Sequence, residues 1–491
     1  MNETALLGDV AEIVRGIAFP KEAKCLEPRP GHVACLRTTN VQRDVEWDDL
    51  WFVPEEHVRR DEQFVRTGDI LISTANSYEL VGKVAAVIAL PMKATLGAFI
   101  SLIRPHATVH PKFLYHLLAW RKTQARIREL ASTTTNISNV STKKLAALEF
   151  SFPHLDEQHR IVAEIEKQFS RLDQAVASLQ RVKAQLKRYK ASVLKAAVEG
   201  RLVETEAQRA RREGRGFETG AELAAQGSAT ATRGRKPGAA LPYETGEQLL
   251  KRILDTRRSQ WKGKGKYREP AAPDACSLPE LPEGWVWATV EQLNLANKPC
   301  AYGVLQPGDE MSDGIPLVRV GDIDDGLVKQ GAIKRIAPQV AAQYPRTKLV
   351  GGEFLITLVG AIGRTALVPD SLAGANVARA VGVVPLAREI DAHWFEMWFR
   401  NPAKVVEMTS KSHEVARKTL NLEDVRVASV AVPPLAEQHR IGAEVDRRLS
   451  IVREVETEVG ANLKRAQALR QSVLGAAFSG RLTGDAAAAA A

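Results

Sequence analysis

The sequence predicts an α+β fold: two mixed α/β domains, each followed by one long helix. The two helices are expected to pair as an antiparallel coiled coil with pseudo-two-fold symmetry. Three observations carry this. Residues 155–202 (LDEQHRIVAEIEKQFS…SVLKAAVEGRL) return without a gap at 435–482 (LAEQHRIGAEVDRRLS…SVLGAAFSGRL). The repeat reaches upstream into β-rich blocks, so the repeated unit is a domain plus a helix. Apolar residues inside both helices recur at threes and fours, as a packing seam requires.

Each domain is read from short β-rich runs at 69–73, 83–88 and 354–358, bounded by Gly, Pro, Asn or Ser. The string TGDILIS at 67–73 matches GGEFLIT at 351–357, and each leads into a glycine loop and a further strand from Gly82 or Gly363. CLRTTNV at 35–41 matches LVRVGDI at 317–323. Helical stretches with aromatic anchors follow at 111–130 and 391–408. Each long helix starts beyond proline (Pro153; Pro433 and Pro434), with Asp156, Glu157 or Glu437 suited to the positive end of the helix dipole. Gly200 and Gly480 are glycine stops.

The seam runs through Ile161, Ile165, Phe169, Leu172, Val176 and Leu179, skips locally, then resumes at Val182, Leu186, Tyr189 and Val193. Its second copy is Ile441, Val445, Leu449, Val452, Val459, Leu463, Leu469 and Val473. The expected partner of each seam is the other helix. The resulting division is a first domain at 1–152, a helix at 153–202 and a flexible linker at 203–283 with a short helix near 246–261. A second domain follows at 284–432, a second helix at 433–482 and a disordered alanine-rich tail at 483–491. Arg233, Arg235 and Lys236 form a small basic cluster in the linker.

The net charge of +10 favours a polyanionic partner. No run approaches the ~18 apolar residues of a membrane span, and the acidic N-terminus does not read as a secretory signal. Four scattered cysteines without a CxxC pair fit reduced thiols in a cytoplasm. There is no GxxxxGK[ST] loop, no GxGxxG opening and no Asn/Asp-Pro-Pro-aromatic tetrapeptide; Asn401-Pro402-Ala403 only approaches the last. His159 and His439 sit in EQHR, which lacks HExxH spacing and a third ligand, and is read as a helix start with local polar contacts. A non-catalytic binder without cofactor or metal is expected.

Polar residues at strand ends are the binding candidates. In the first domain these are Arg37, Thr38 and Asn40, then Thr74, Asn76, Tyr78 and Lys83, and Asn136 within TTTNISNVST. In the second they are Arg319, Thr357, Arg364, Lys411, His413, Arg417 and Lys418. Such groups donate to phosphates and, at groove depth, to base edges. Any one of them could equally cap a turn; the argument is their recurrence after matching strands.

The paired P-x-L-x-EQ-x-RI helix starts, the paired GRL ends, the GDILIS/GGEFLIT strands and the block YETGEQLLKRIL…LPELPEGWVWATVEQL together resemble the specificity subunit of a type I restriction–modification system. The first domain lacks an LPEGW-like opening, and its 74–80 loop is longer than its counterpart. The resemblance implies two target recognition domains, each reading one half of an asymmetric bipartite duplex DNA sequence. It implies two methyltransferase (modification) subunits and restriction/translocase subunits as partners. S-adenosylmethionine, ATP and Mg are then expected on those partners, and no catalytic residue on this chain. Alternatives are a coiled-coil scaffold and a stand-alone DNA-binding regulator.

Overall fold

The computed structural model describes residues 3–134, 137–215, 243–263, 265–324, 326–411, 413–414 and 418–482. The basic cluster at Arg233, Arg235 and Lys236 and the tail expected at 483–491 lie outside them. Two compact units result: Met1–Val182 with Glu458–Ala491, and Lys183–Thr457. Each long helix therefore begins in one unit and ends in the other.

In the first unit, Glu3–Leu6 pairs antiparallel with Glu149–Phe152, which closes the domain just before Pro153. An antiparallel sheet runs in the order Ala11–Arg15, Ile100–Pro105, Ile70–Ser73, Val84–Ala86. Its strand Ile70–Ser73 is buried on both faces, which explains a continuous apolar run in place of alternation. The acid of the GDILIS string is structural: buried Asp69 pairs with Arg104 at 2.8 Å and accepts from Arg66 N at 2.7 Å. A second sheet orders Trp51–Pro54, His32–Leu36 and Ala94–Leu96, the last pair parallel.

The second unit repeats this topology. Val286–Thr289 pairs with Ser429–Val432. One sheet orders Ala301–Tyr302, Val381–Val384, Phe354–Thr357 and Thr365–Leu367; the other orders Arg335–Ile336, Ile315–Val318 and Asn376–Val377, again ending on a parallel pair. Glu353 takes the place of Asp69 and pairs with Lys298 at 3.1 Å. The chain leaves the edge strand of each four-stranded sheet, Ala11–Arg15 or Ala301–Tyr302, through a glycine that touches the neighbouring sheet. A Cβ on Gly16 would lie 2.3 Å from Gly97 O, and one on Gly303 would lie 2.0 Å from Val377 O.

The helical stretches at 111–130 and 391–408 are each two helices. Ala392–Arg400 and Pro402–Ser410 break at Asn401, which precedes a proline and is extended. Pro111–Ala119 and Arg121–Glu129 break at extended Trp120, where no proline marks the sequence.

Leu155–Val198 and Leu435–Phe478 are helices of 44 residues each. Both stop at a left-handed glycine: Gly200 at φ 65° and Gly480 at φ 76°. Arg201 N then donates to Ala196 O and Arg481 N to Ala476 O, both at 2.9 Å, capping the final turn. The glutamine of EQHRI fastens each start. Gln158 donates to Pro153 O at 2.9 Å and accepts from His110 N at 2.9 Å. Gln438 does the same with Pro433 O (2.8 Å) and Asp391 N (3.0 Å). The histidines make local contacts, His159 against the His110 ring and His439 near Asp391.

The seam is a composite, which corrects its assignment to the partner helix alone. Ile161, Ile165 and Phe169 are buried in the core of the preceding domain, with Phe113, Leu117 and Phe152. Leu474 and Ala477, from the far end of the second long helix, complete that core. Reciprocally, Ile441, Val445 and Leu449 share a core with Trp394 and with Val193, Leu194 and Ala197 from the end of the first helix. Helix-to-helix contact is antiparallel: Asp173 meets Arg470 in the first unit, and Lys190 meets Glu456 at 2.9 Å in the second. Val452 and Val459 are buried; Leu172 and Leu179 are half-buried. Tyr189 and Leu469 fall off the seam, 43% and 52% exposed.

The stretch after Gly200 is not plain linker. Thr205 and Gln208 form a reciprocal cap on the helix Glu206–Glu213. Buried Glu437 accepts from Glu206 N at 2.8 Å and from Trp285 Nε1, the tryptophan of LPEGW, at 3.0 Å. Burial pushes the Glu437 carboxyl up to about 7, against those two donors and Arg440. Glu206 is itself held by Arg215 at 2.7 Å and by Arg440. The helix expected near 246–261 spans Gly246–Ser259, capped by Thr245 and Gln248. No helix among the described residues is long and apolar enough to cross a membrane.

Candidate nucleic-acid interface

The first domain gathers its polar loops by backbone bonding. Ala75–Asn76 pairs with Ser138–Asn139, which pairs with Ser132–Thr133. Thr74 N and Ala75 N both donate to Phe99 O, at 2.9 and 3.2 Å. Lys83 Nζ reaches Gln42 on the loop that begins at Arg37. Loops near 37–42, 74–83, 97–99 and 132–139 are thus one connected surface.

Within it the candidates divide. Asn40 is buried; its Nδ2 donates to Glu46 O (3.0 Å) and Asp48 O (2.9 Å), and its Oδ1 accepts from Arg37 N at 2.8 Å. These three bonds brace the loop, and at 2% exposure Asn40 presents little surface to a DNA partner. Thr74 is buried too, its hydroxyl donating to Phe99 O at 3.2 Å. Asn76 is half-buried, donating to Ser73 Oγ and accepting from Ser77 N. Thr38 is half-buried and Tyr78 is 52% exposed. Arg37 packs its guanidinium 4.5 Å over the Trp51 ring and pairs with Asp49, the one described non-glycine residue with positive φ (51°). Asn136 lies outside the described residues.

Residues that the sequence reading passed over line the same face. A cleft of about 450 Å³ beside Arg37 and Thr38 includes Lys21, Lys24, Trp51 and Phe99. Lys24 Nζ sits 3.8 Å from the Trp51 centroid, and Phe99 is 60% exposed. Cations interleaved with an exposed aromatic suit a phosphate backbone and stacked bases. The signal was available: Phe99 stands beside Gly97, where a strand-end loop is bare of polar residues.

The second domain assembles corresponding loops. Val359 bridges to Thr419, in the hairpin of His413–Glu414 with Lys418–Thr419. Thr357 is wholly buried, accepting from Arg364 N at 2.9 Å and donating to Ala361 O, so it too braces its loop. Arg364 and Lys418 are exposed. Exposed Arg319 pairs with Asp322 at 3.2 Å, and Lys411 pairs with Glu407 at 3.0 Å. Arg379, exposed and one residue before the position matching Phe99, was missed. For His413 only the backbone is described, and Arg417 lies outside the described residues. Among the described residues no group of three or more His, Cys, Asp or Glu could hold a metal ion.

Residues 2–188 match the family model described as type I restriction modification DNA specificity domain. The specificity-domain match agrees with the resemblance read from the repeated motifs. The type I restriction enzyme EcoBI specificity subunit of Escherichia coli is 38% identical over 204 residues, 41% of this chain and 43% of that protein. That match thus spans less than half of the relative's length. The EcoKI specificity subunit of Escherichia coli strain K12 is 23% identical over 98% of this chain and 89% of its own. A solved chain described under "Structural basis underlying complex assembly and conformational transition of the type I R-M system" superposes with a TM-score of 0.56 at 16% identity, covering 98% of both chains. That likeness concerns the fold.

Proposed function

We propose that this chain is the DNA-reading, non-catalytic specificity subunit of a type I restriction–modification complex. Each domain reads one half of a bipartite, asymmetric duplex sequence. The chain recruits two modification subunits that methylate adenine N6 and, where present, restriction/translocase subunits. S-adenosylmethionine, ATP and Mg act on those partners, in the cytoplasm. The observation that carries this reading is one domain topology occurring twice with different loop chemistry. Domain 1 offers Lys24, Arg37, Tyr78 and Phe99, whereas domain 2 offers Arg319, Arg364, Arg379 and Lys418. Two identical readers would suit a palindrome; two unlike readers on one frame suit an asymmetric target.

The test is single-molecule sequencing of native host DNA, with and without the gene, scored for N6-methyladenine. Loss of methylation at one bipartite motif with a fixed spacer supports the proposal. An unchanged map in a host shown to express the partner subunits would overturn it.

A further inference from the structure

A cleft of about 890 Å³ in the second unit lies away from the loops discussed above. Its wall is the segment after the helix Gly246–Ser259, facing Asn294 and Cys300. That volume falls within the range of small-ligand sites. Four residues that line it carry a buried polar atom without a hydrogen-bond partner: Arg257 Nε, Trp261 Nε1, Tyr267 OH and Asn294 Oδ1. Asn294 is only 4% exposed, and its other amide atom is spent on Cys300 Sγ at 3.1 Å. A buried polar atom left unpaired has lost its water without gaining a partner, which destabilises the fold. Four around one cavity are donors and acceptors that a bound polar ligand could satisfy.

The charge is one-sided. Lys262, Lys266 and Arg268 line the cleft, are exposed, and make no ion pair among the described residues. The one acid in the lining, Glu291, is already bound to Arg426 at 2.6 Å. The wall is also shaped by glycine. A Cβ on Gly263 would fall 2.0 Å from Trp261 Cζ2, so the indole lies closely over the backbone at this glycine. Gly265 then turns at φ 94°. The indole meets the Tyr267 ring edge-on at 5.7 Å, which fixes its plane.

We propose that this cleft binds a nucleotide: its phosphate on Lys262, Lys266 and Arg268, its base against Trp261 and Asn294. Free cations answer a phosphate, while an unpaired indole N–H and an unpaired amide oxygen answer the edge groups of a base. The nucleotide is either free or part of a DNA strand; the second arm rests on the function proposed above, and the first does not.

The test uses the full chain, native, with the Lys262→Ala/Lys266→Ala/Arg268→Ala triple variant and with Trp261→Phe, each checked for an unchanged melting temperature. Adenosine monophosphate binding is measured by calorimetry, and affinity for a short non-target duplex is measured across salt concentrations. A free-nucleotide site gives saturable adenosine monophosphate binding that falls roughly tenfold or more in the triple variant, and also falls in Trp261→Phe. A DNA-strand site gives no such binding, but a salt dependence of duplex affinity shallower by about one unit per lost phosphate contact. If the native chain binds no adenosine monophosphate and the triple variant leaves duplex affinity and its salt slope unchanged, the proposal is wrong. Loss of motif methylation in the host remains a separate readout, so failure here and failure of the DNA-reading function are distinguishable.

Discussion

Replacing Asn40 by Ala removes three hydrogen bonds at once, because its side chain bridges Arg37 N, Glu46 O and Asp48 O. At a net value of about 1 kcal/mol each, the loss is about 3 kcal/mol. For a unit of roughly 200 residues, 1 kcal/mol shifts the thermal midpoint by about 2–4 °C, so the expected fall is about 6–12 °C. Asn40→Asp is expected to fall at least as far, since a carboxylate keeps the bond from Arg37 N but presents oxygen to two carbonyl oxygens. Differential scanning calorimetry of the full chain gives the midpoint. Fluorescence anisotropy, on duplexes bearing the methylated motif or one scrambled half-site, gives the affinity. Stability and affinity for the first half-site should decline together. An Asn40→Ala chain with an unchanged midpoint that no longer distinguishes the first half-site would refute the reasoning and restore Asn40 as a base reader.

Glu437 supplies a pH signature. Its carboxyl titrates near 7 in the folded chain and near the ordinary 4.5 when unfolded, so the folded state holds the extra proton in between. Unfolding free energy should therefore decrease as pH rises from about 4.5 through 7 and level off above. The contribution is on the order of 3 kcal/mol; denaturant titrations of Glu437→Gln should show that slope removed. Gly16→Ala and Gly303→Ala should each cost roughly 1–3 kcal/mol, since the added methyl meets a backbone oxygen that has nowhere to go; circular dichroism melts would show it, and a neutral Gly16→Ala would contradict the close approach. Inserting two helical turns after both Leu179 and Val459 should lengthen the methylated motif's spacer by about three base pairs, at 1.5 Å per helical residue, and leave both half-sites unaltered. A folded insertion mutant with the native spacer would remove the ruler role of the helices.

The repeat was legible because its signals are local. A glutamine that ties a helix start, a glycine that takes a left-handed turn and a buried acid that holds a strand edge each leave one residue type at one spacing. The side-chain directions of Asn40, Thr74 and Thr357 were not legible. A polar residue at a strand end looks the same whether it faces DNA or braces its own loop, and burial alone separates the two. Nor did apolar spacing say what covers it: Ile165 and Tyr189 both fit the stripe, yet one is in a domain core and the other is exposed. The break at Trp120 has no proline, and its indole packs against Phe478, more than 350 residues later. Lys24 and Phe99 matter through a cleft that only folding assembles.

The first unit takes its last pieces from the distant end of the chain. Phe478 rests on Phe113 at 5.5 Å, Leu474 and Ala477 are buried beside Ile161, and Gln471 caps the backbone of Arg121. During synthesis, the first domain leaves the ribosome long before these residues exist. It must wait, with an apolar face uncovered, while the whole second unit is made. The second unit, a continuous stretch from 183 to 457, has no such wait. A stop codon at position 458 would spare every residue of the first domain and of the second unit, yet it is the first domain that would lose its cover.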